Sequence, residues 1–173
     1  MNNKSTTKRL CRAGVIASLY VVLTYAFSSF AFGPFQVRPA EALSILPLFF
    51  PEAVPALFVG CMLSNLLSMY TVYDIVFGSL ASLVAGFCTL WVGKAIKKDW
   101  LRVVLGGVFP VVINAIVIPF IIVFLCGDLS GSVGIWSAYF TMVLVFFGTQ
   151  TVWVYGLGAP LYYAVKRLYK TGK

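Results

Sequence analysis

The chain has 173 residues, of which 61% are hydrophobic and only 10% are charged, and its net charge is +8. A soluble domain carries about 25% charged residues, so this composition excludes one and predicts a single all-α integral membrane domain over residues 1–173. Histidine is absent, and the four cysteines are scattered without a metal-binding spacing. We therefore expect neither a metal site nor a bound cofactor.

The positive charge is concentrated in three clusters, which explains it without nucleic acid binding. They are Lys4, Lys8, Arg9 and Arg12; Lys94, Lys97, Lys98 and Arg102; and Lys166, Arg167, Lys170 and Lys173. Basic residues mark cytoplasmic segments, so an even number of membrane crossings should separate neighbouring clusters. At about 20 residues per crossing, four helices fit before the middle cluster and two after it. The sequence thus predicts six transmembrane helices in the plasma membrane, with both termini in the cytoplasm.

The apolar runs give the positions of these helices. They span about residues 8–32, 39–50, 53–69, 74–93, 103–126 and 135–163. A signal peptide is an alternative interpretation of the first run, since a basic start and the triplet Ser29-Phe30-Ala31 fit its pattern loosely. The run is rather long for a signal peptide, so we predict a membrane helix.

The first helix carries small residues at a regular spacing. Ala13 and Ala17 are four residues apart, as are Gly14 and Ser18. Small side chains at this spacing let a second helix approach closely. That second helix belongs either to the same bundle or to a partner protein, and the spacing alone leaves both possibilities open.

The segment 33–43, between the first two helices, combines prolines with charges inside an apolar chain. It holds Arg38 and, three residues later, Glu41, together with Pro34 and Pro39. Proline restricts the backbone, so the segment is stiff. Charged groups at membrane depth are unfavourable and mark functional sites. The alternative is that Arg38 and Glu41 simply pair with each other.

Few other polar residues lie at membrane depth or on the predicted outer side. The candidate substrate-binding residues are Arg38, Glu41, Asn65, Asp74, Asn114 and Gln150, with Phe35, Tyr70, Trp136 and Trp153 around them. The predicted helix directions place most of them in the outer half of the membrane, which predicts a pocket open to the outside. Each also has a structural alternative: the amides could tie helices together, Asp74 could cap a helix, and Trp136 could lie in an interfacial belt.

The residue types favour a planar ligand with several N–H groups. A carboxylate accepts two parallel N–H bonds, an amide both donates and accepts, and aromatic rings stack on flat ligands. Glu41 would suit the two adjacent donors of a guanine-like edge, and Asn114 or Gln150 its carbonyl. Asp74 is then left for a cationic amine. Chemistry alone does not select the ligand.

Three segments carry a family resemblance. Residues Phe35–Pro47, Gly60–Leu66 and Tyr73–Ala81 resemble the QueT family, whose members are substrate-binding S components of energy-coupling factor (ECF) transporters. Members are assigned to the uptake of queuosine precursors, such as queuine and the prequeuosine bases. The resemblance covers most of the chain and implies a six-helix S-component bundle that captures substrate from outside, beneath the loop between helices 1 and 2.

The resemblance also implies partners. Ala13 and Ala17 resemble the family's docking motif for the transmembrane T component, and two ATPase subunits would drive transport. The 7-deazaguanine ring of the implied substrates carries the donor–donor–acceptor edge described above. The chain holds no catalytic motif, so we do not expect an enzyme. The remaining alternatives are an S component for another small planar nutrient, such as a vitamin, and a membrane scaffold protein without transport activity.

Overall fold

The computed structural model describes residues 3–31, 37–68, 71–127 and 134–171. Every regular element within these ranges is helical, as the composition predicts. The elements are α1 (Asn3–Ala26), α2 (Ser28–Ala31), a 3₁₀ helix (Pro39–Leu48), α3 (Ala53–Ser64), a 3₁₀ turn (Asn65–Leu67), α4 (Thr71–Tyr73), a π turn (Asp74–Gly78), α5 (Ser79–Ala95), α6 (Asp99–Phe120), a second π turn (Ile121–Leu125), α7 (Ile135–Gly156) and α8 (Gly158–Thr171).

Several of these elements are suited to a bilayer. Within the described ranges, four helical stretches are long and apolar enough to cross a membrane, and two further apolar helices are shorter. The long stretches are Thr6–Ala26, Asp74–Ala95, Asp99–Leu125 and Ile135–Leu168, and the short helices are Pro39–Leu48 and Ala53–Ser64. Large apolar side chains cover the outside of the bundle, which is the arrangement expected in contact with lipid.

The 3₁₀ helix Pro39–Leu48 forms the axis of the bundle, and we call it the central helix. All ten of its residues are buried. It packs against α1, α3, α5, α6, α7 and α8, so protein surrounds it on every side. At about 2.0 Å per residue it is about 20 Å long, roughly two-thirds of a hydrocarbon core of about 30 Å.

Two prolines shape the central helix. Arg38 has an extended backbone (φ −113°, ψ 91°), as expected before a proline, and Pro39 occupies the first helical position. Pro47 removes a backbone N–H near the other end, where Phe49 donates to the carbonyl of Leu46 at 2.9 Å. The sequence indicated a helix over 39–50 without distinguishing its type, and the structure shows the tighter 3₁₀ winding.

Basic side chains hold the bundle end at which the central helix stops. Arg102 donates to the carbonyl oxygens of Leu48 at 3.1 Å and Gly93 at 2.5 Å, which lie in the last turns of the central helix and of α5. A cation is favourable at such carbonyls. Arg12 pairs with Glu52 at 2.7 Å just beyond the central helix. The first and second basic clusters therefore meet here.

The third basic cluster reaches the same end. Lys166 pairs with one carboxylate oxygen of Asp99, and the Tyr162 hydroxyl donates to the other at 2.9 Å. Asp99 and Arg102 lie within one turn of α6. Members of all three clusters thus lie together, as expected if they share one side of a membrane. We call this the basic end.

Two predicted helices are interrupted. The predicted helix over 135–163 is divided at Leu157 into α7 and α8, because Pro160 lacks the N–H that would bond back to α7. Gly158 then lets α8 approach the central helix, since a Cβ there would lie 3.1 Å from the carbonyl oxygen of Ala42. Similarly, the predicted helix over 8–32 is divided at position 27, between α1 and α2.

Candidate functional site

The Glu41 carboxylate lies inside the bundle and accepts three hydrogen bonds. Its side chain is on the first turn of the central helix, and the residue is 2% exposed. Tyr20 donates to Oε1 at 2.7 Å, while Ser44 at 3.1 Å and the Asn114 amide at 3.2 Å donate to Oε2. These donors come from α1, the central helix and α6. They hold the carboxylate in one orientation and occupy most of its roughly four acceptor positions.

Local geometry explains how these side chains meet. In a 3₁₀ helix residues three apart eclipse each other, which places Ser44 over Glu41. Tyr20 lies where α1 crosses α3 at Gly60, and a Cβ at this glycine would approach the Tyr20 Cβ to 3.0 Å. Asn114 lies in the middle of α6, whose inward face is buried along its length.

The carboxylate is far from both ends of the bundle. Glu41 precedes Leu48 by seven residues, which is about 14 Å along the central helix. Asn114 follows Arg102 by twelve residues, which is about 18 Å along α6. Both estimates start at the basic end and reach about the middle of a 30 Å core. A carboxyl group at this depth needs hydrogen-bond partners, and Glu41 has them.

A second polar group surrounds Asp74, which is 2% exposed at the start of the first π turn. The Ser68 hydroxyl donates to Asp74 Oδ2. The Asn65 amide nitrogen donates to the backbone carbonyl of Asp74 at 2.8 Å and contacts the Cys61 sulfur at 3.5 Å. Asn65 therefore ties the end of α3 to the π turn. Its own Oδ1 is buried and accepts no hydrogen bond from the described residues.

Arg38 connects the two groups. It is 3% exposed and interacts electrostatically with both Glu41 and Asp74. The Cys61 thiol, which Asn65 contacts, also interacts electrostatically with Glu41 and Arg38. The two groups thus form one connected set, which we call the polar core. It comprises Tyr20, Arg38, Glu41, Ser44, Cys61, Asn65, Ser68, Asp74 and Asn114.

Gln150 and Trp153 lie one helical turn apart on α7, which packs against the central helix. Gln150 is 2% exposed, and its Oε1 is buried without a hydrogen-bond donor among the described residues. Trp153 is half-buried. A buried amide oxygen with no donor is unusual, since nearly all such atoms are satisfied in folded proteins. It is therefore available to a ligand.

Trp136 does not reach the polar core. It is 66% exposed, and its ring packs on Phe124 and Phe140 with centroids 5.7 and 6.3 Å away. This surface cluster resembles the aromatic belts found where membranes meet water. The other two predicted aromatic contacts, Phe35 and Tyr70, lie outside the described residues.

Comparison with known proteins agrees with these features. A family model described as "QueT transporter" matches residues 10–167. This chain belongs to the QueT transporter family. It is therefore a multi-pass membrane protein of a transport family rather than an enzyme.

Among curated proteins, the chain is similar to "Queuosine precursor transporter QueT" of Lactococcus lactis subsp. cremoris (strain MG1363). The two are 37% identical over 83 residues, which is 47% of this chain and 48% of the relative. The chain thus spans about half the length of the curated relative it matches. No solved structure shows significant similarity to it.

The small residues of α1 in this QueT family member face two directions. Ala13 and Ala17 are half-buried and pack against the core beside Tyr20. Gly14 and Ser18 are exposed. The exposed side forms a shallow groove along α1, lined by Cys11, Gly14, Val15, Ser18, Leu19 and Val22.

Sequence reasoning missed four hydrogen-bonding members of the polar core: Tyr20, Ser44, Cys61 and Ser68. Two of them carried a detectable signal. Ser44 follows Glu41 by three residues, and Tyr20 follows Ala17 by three, so it continues the small-residue face of α1. Ser68 lies beyond the end of α3, where no helical period predicts its direction.

Proposed function

We propose that this protein is the substrate-binding S component of an ECF-type ABC importer and that it captures queuosine precursors, namely queuine and prequeuosine bases, from outside the cell. Its family supports transport, and the name of the Lactococcus relative supports the substrate class. The observation that carries the proposal is the Glu41 carboxylate, held near the middle of the bundle by Tyr20, Ser44 and Asn114.

Glu41 and Asn114 match the recognition edge of a 7-deazaguanine ring. That edge presents two neighbouring N–H donors and, beside them, a carbonyl oxygen. In our proposal Glu41 accepts from the two donors, and Asn114 turns its amide from Glu41 Oε2 to the ring carbonyl. The unsatisfied amide of Gln150 is the alternative partner for this carbonyl. Arg38, which interacts with Glu41, would orient the carboxylate.

Aromatic side chains would enclose the flat ring. Trp153 follows Gln150 by one turn on α7, and Phe35 and Tyr70 belong to the segments that connect α2 to the central helix and α3 to α4. Stacking on such rings contributes about 0.5–1.5 kcal/mol beyond the area buried. Because Trp136 packs on the bundle surface, we assign it to the membrane interface instead.

The proposed topology has six crossings and places the basic end, with both termini, in the cytoplasm. The two short helices, Pro39–Leu48 and Ala53–Ser64, would each count as one crossing inside the bundle. The meeting of three basic clusters at one end supports this arrangement, because basic segments are retained in the cytoplasm. Substrate would then enter from the opposite end, where Asp74 lies.

The proposed partners are a transmembrane T component and two ATPase subunits. Docking would use α1, where Ala13 and Ala17 lie near the exposed Gly14 and Ser18. Small side chains allow a partner helix to come close. ATP hydrolysis by the partners would drive the reorientation that exposes substrate to the cytoplasm.

Calorimetric titration of the purified protein with queuine and 7-deazaguanine bases tests the proposal. The wild type should bind, and Glu41→Gln should weaken binding by about 10- to 150-fold, the range expected for a hydrogen bond to a charged group. Glu52→Gln is the matched control, since Glu52 pairs with Arg12 at the basic end, and it should bind like the wild type.

Two results would contradict the proposal. Unchanged affinity in Glu41→Gln would remove Glu41 from the site. Binding of another planar nutrient, with no binding of any 7-deazaguanine, would make the protein an S component for that nutrient.

A further inference from the structure

The buried charges of the polar core do not balance. Of the charged side chains that the structure describes, the buried ones are Arg38, Glu41 and Asp74. With both carboxylates ionised, one guanidinium faces two negative charges, and the core carries a net charge of −1. An uncompensated charge is strongly unfavourable in an interior of low dielectric constant. A ligand with a single positive charge would neutralise the core.

Asp74 lies where such a charge could be bound. Glu41 already accepts from three donors, whereas Asp74 accepts one side-chain hydrogen bond, from Ser68, among the described residues. Asn65 Oδ1 is a further buried acceptor, and it lies beside Asp74 because the nitrogen of the same amide bonds to the Asp74 carbonyl. Two buried acceptors, the Asp74 carboxylate and Asn65 Oδ1, therefore lie at this end of the polar core.

An ammonium group fits this arrangement. It carries one positive charge and three N–H donors and accepts no hydrogen bond. It can donate to the Asp74 carboxylate and to Asn65 Oδ1 together, and so satisfy the buried amide oxygen. A neutral polar group, such as a nitrile, brings only an acceptor and would leave both the charge and the amide oxygen uncompensated.

We propose that Asp74, Ser68 and Asn65 form a subsite for an ammonium substituent on the bound ring, so that the protein selects cationic bases over neutral ones. The inference rests on the proposed function and deepens it. Glu41 recognises the edge that all 7-deazaguanines share, and the Asp74 subsite discriminates between their substituents. Ser68 is a positioning residue, because its hydroxyl donates to the carboxylate that meets the ligand.

Two ligands with the same recognition edge test the proposal on the wild-type protein. We would titrate 7-aminomethyl-7-deazaguanine, which is cationic at neutral pH, and 7-cyano-7-deazaguanine, which is neutral. The cationic base should bind at least about tenfold more tightly, as expected for a charge-assisted hydrogen bond. Equal affinities, or tighter binding of the nitrile, would overturn the inference and leave the proposed function intact. Binding of neither base would overturn the inference, and failure of queuine to bind as well would overturn the proposed function.

Variants identify the residues that discriminate between the aminomethyl base and the nitrile. Asp74→Asn should weaken binding of the aminomethyl base by at least about tenfold and change binding of the nitrile by less than about threefold. Asp99→Asn removes the same charge at the basic end, where Asp99 meets Lys166, and should keep the wild-type ratio. If Asp74→Asn does not fold, Ser68→Ala keeps the charge and should reduce the ratio. A wild-type ratio in whichever of these two variants folds would overturn the assignment.

Discussion

The hydroxyl of Tyr20 on α1 donates a 2.7 Å hydrogen bond to Oε1 of Glu41 on the central helix. Both residues are almost completely buried. The bond joins α1, which carries the proposed docking surface, to the central helix, which carries the carboxylate proposed to bind the substrate. A displacement of α1 by a partner would therefore change the donors available to the carboxylate.

Tyr20→Phe removes this donor and preserves the shape of the ring. Because a buried carboxylate loses a hydrogen bond, we expect the free energy of unfolding to fall by about 1–3 kcal/mol. The measurement is thermal unfolding in detergent. Tyr25→Phe is the control, since the Tyr25 hydroxyl bonds to the carbonyl of Leu63 at 3.3 Å on the exposed side of α1, and it should change stability by less than about 0.5 kcal/mol. Equal stability of the two variants would contradict the role of Tyr20.

Arg102→Met tests how the central helix is anchored. The substitution leaves the terminal carbonyls of Leu48 and Gly93 without their charged donor. We expect a loss of about 1.5–3 kcal/mol in the free energy of unfolding. Lys97→Met removes an exposed charge in the same segment and should have little effect. If Arg102→Met unfolds at the same temperature as Lys97→Met, the two carbonyl contacts do not stabilise the fold.

Gly14→Leu tests the proposed docking surface on α1. Gly14 is exposed and has open space around it, so the added side chain should project from the surface without disturbing the bundle. We expect the amount of T and ATPase subunits that copurify to fall by at least about tenfold, because a close helix contact does not tolerate the added bulk. Substrate binding by the isolated protein should not change.

Gly148→Leu is the control for docking, because Gly148 on α7 is also exposed and has open space around it. It should retain the partners at the wild-type level. Retention of the partners by Gly14→Leu as well would place docking elsewhere on the protein.

Single cysteines test the proposed topology. In a background without the four native cysteines, Lys97→Cys marks the basic end, and Ser137→Cys marks the opposite end, near the start of α7. Both positions are exposed. A membrane-impermeant maleimide should label Lys97→Cys in inside-out vesicles and Ser137→Cys in intact cells. The reverse pattern would invert the proposed orientation.

The meeting of Glu41 with Asn114 shows what the sequence can predict. The two are 73 positions apart, yet both were expected in one site, and their side chains form a 3.2 Å hydrogen bond. The expectation was possible because polar residues are rare in this chain, and each one at membrane depth requires a partner. A soluble domain with many polar residues would not allow such a short list of candidates.

The winding of the central helix was not predictable in the same way. An apolar run between prolines is compatible with both an α-helix and a 3₁₀ helix, and the choice depends on its neighbours. Leu48 lies so close to Gly93 that a Cβ on the glycine would approach the Leu48 carbonyl oxygen to 2.8 Å. Such a contact between residues 45 positions apart leaves no periodic signal in the sequence.

Two tyrosines on α1 show a second limit of prediction from the sequence. Tyr20 and Tyr25 both lie on α1 in an apolar run, but Tyr20 is buried against Glu41 and Tyr25 is 41% exposed. Helical periodicity relates Tyr20 to the face of Ala17, but it does not reveal whether that face meets lipid, a partner or the interior. The same ambiguity applies to Trp136, whose belt position depends on where α7 begins.

The central helix is synthesised before most of the helices that enclose it in the folded protein. No side chain of this helix faces lipid, so the bilayer cannot hold it in place directly. Five of the six helices that enclose it, α3, α5, α6, α7 and α8, are synthesised after it. The segment that carries Glu41 therefore emerges from the ribosome well before its surroundings exist, and it takes its final position only when the last part of the chain has entered the membrane.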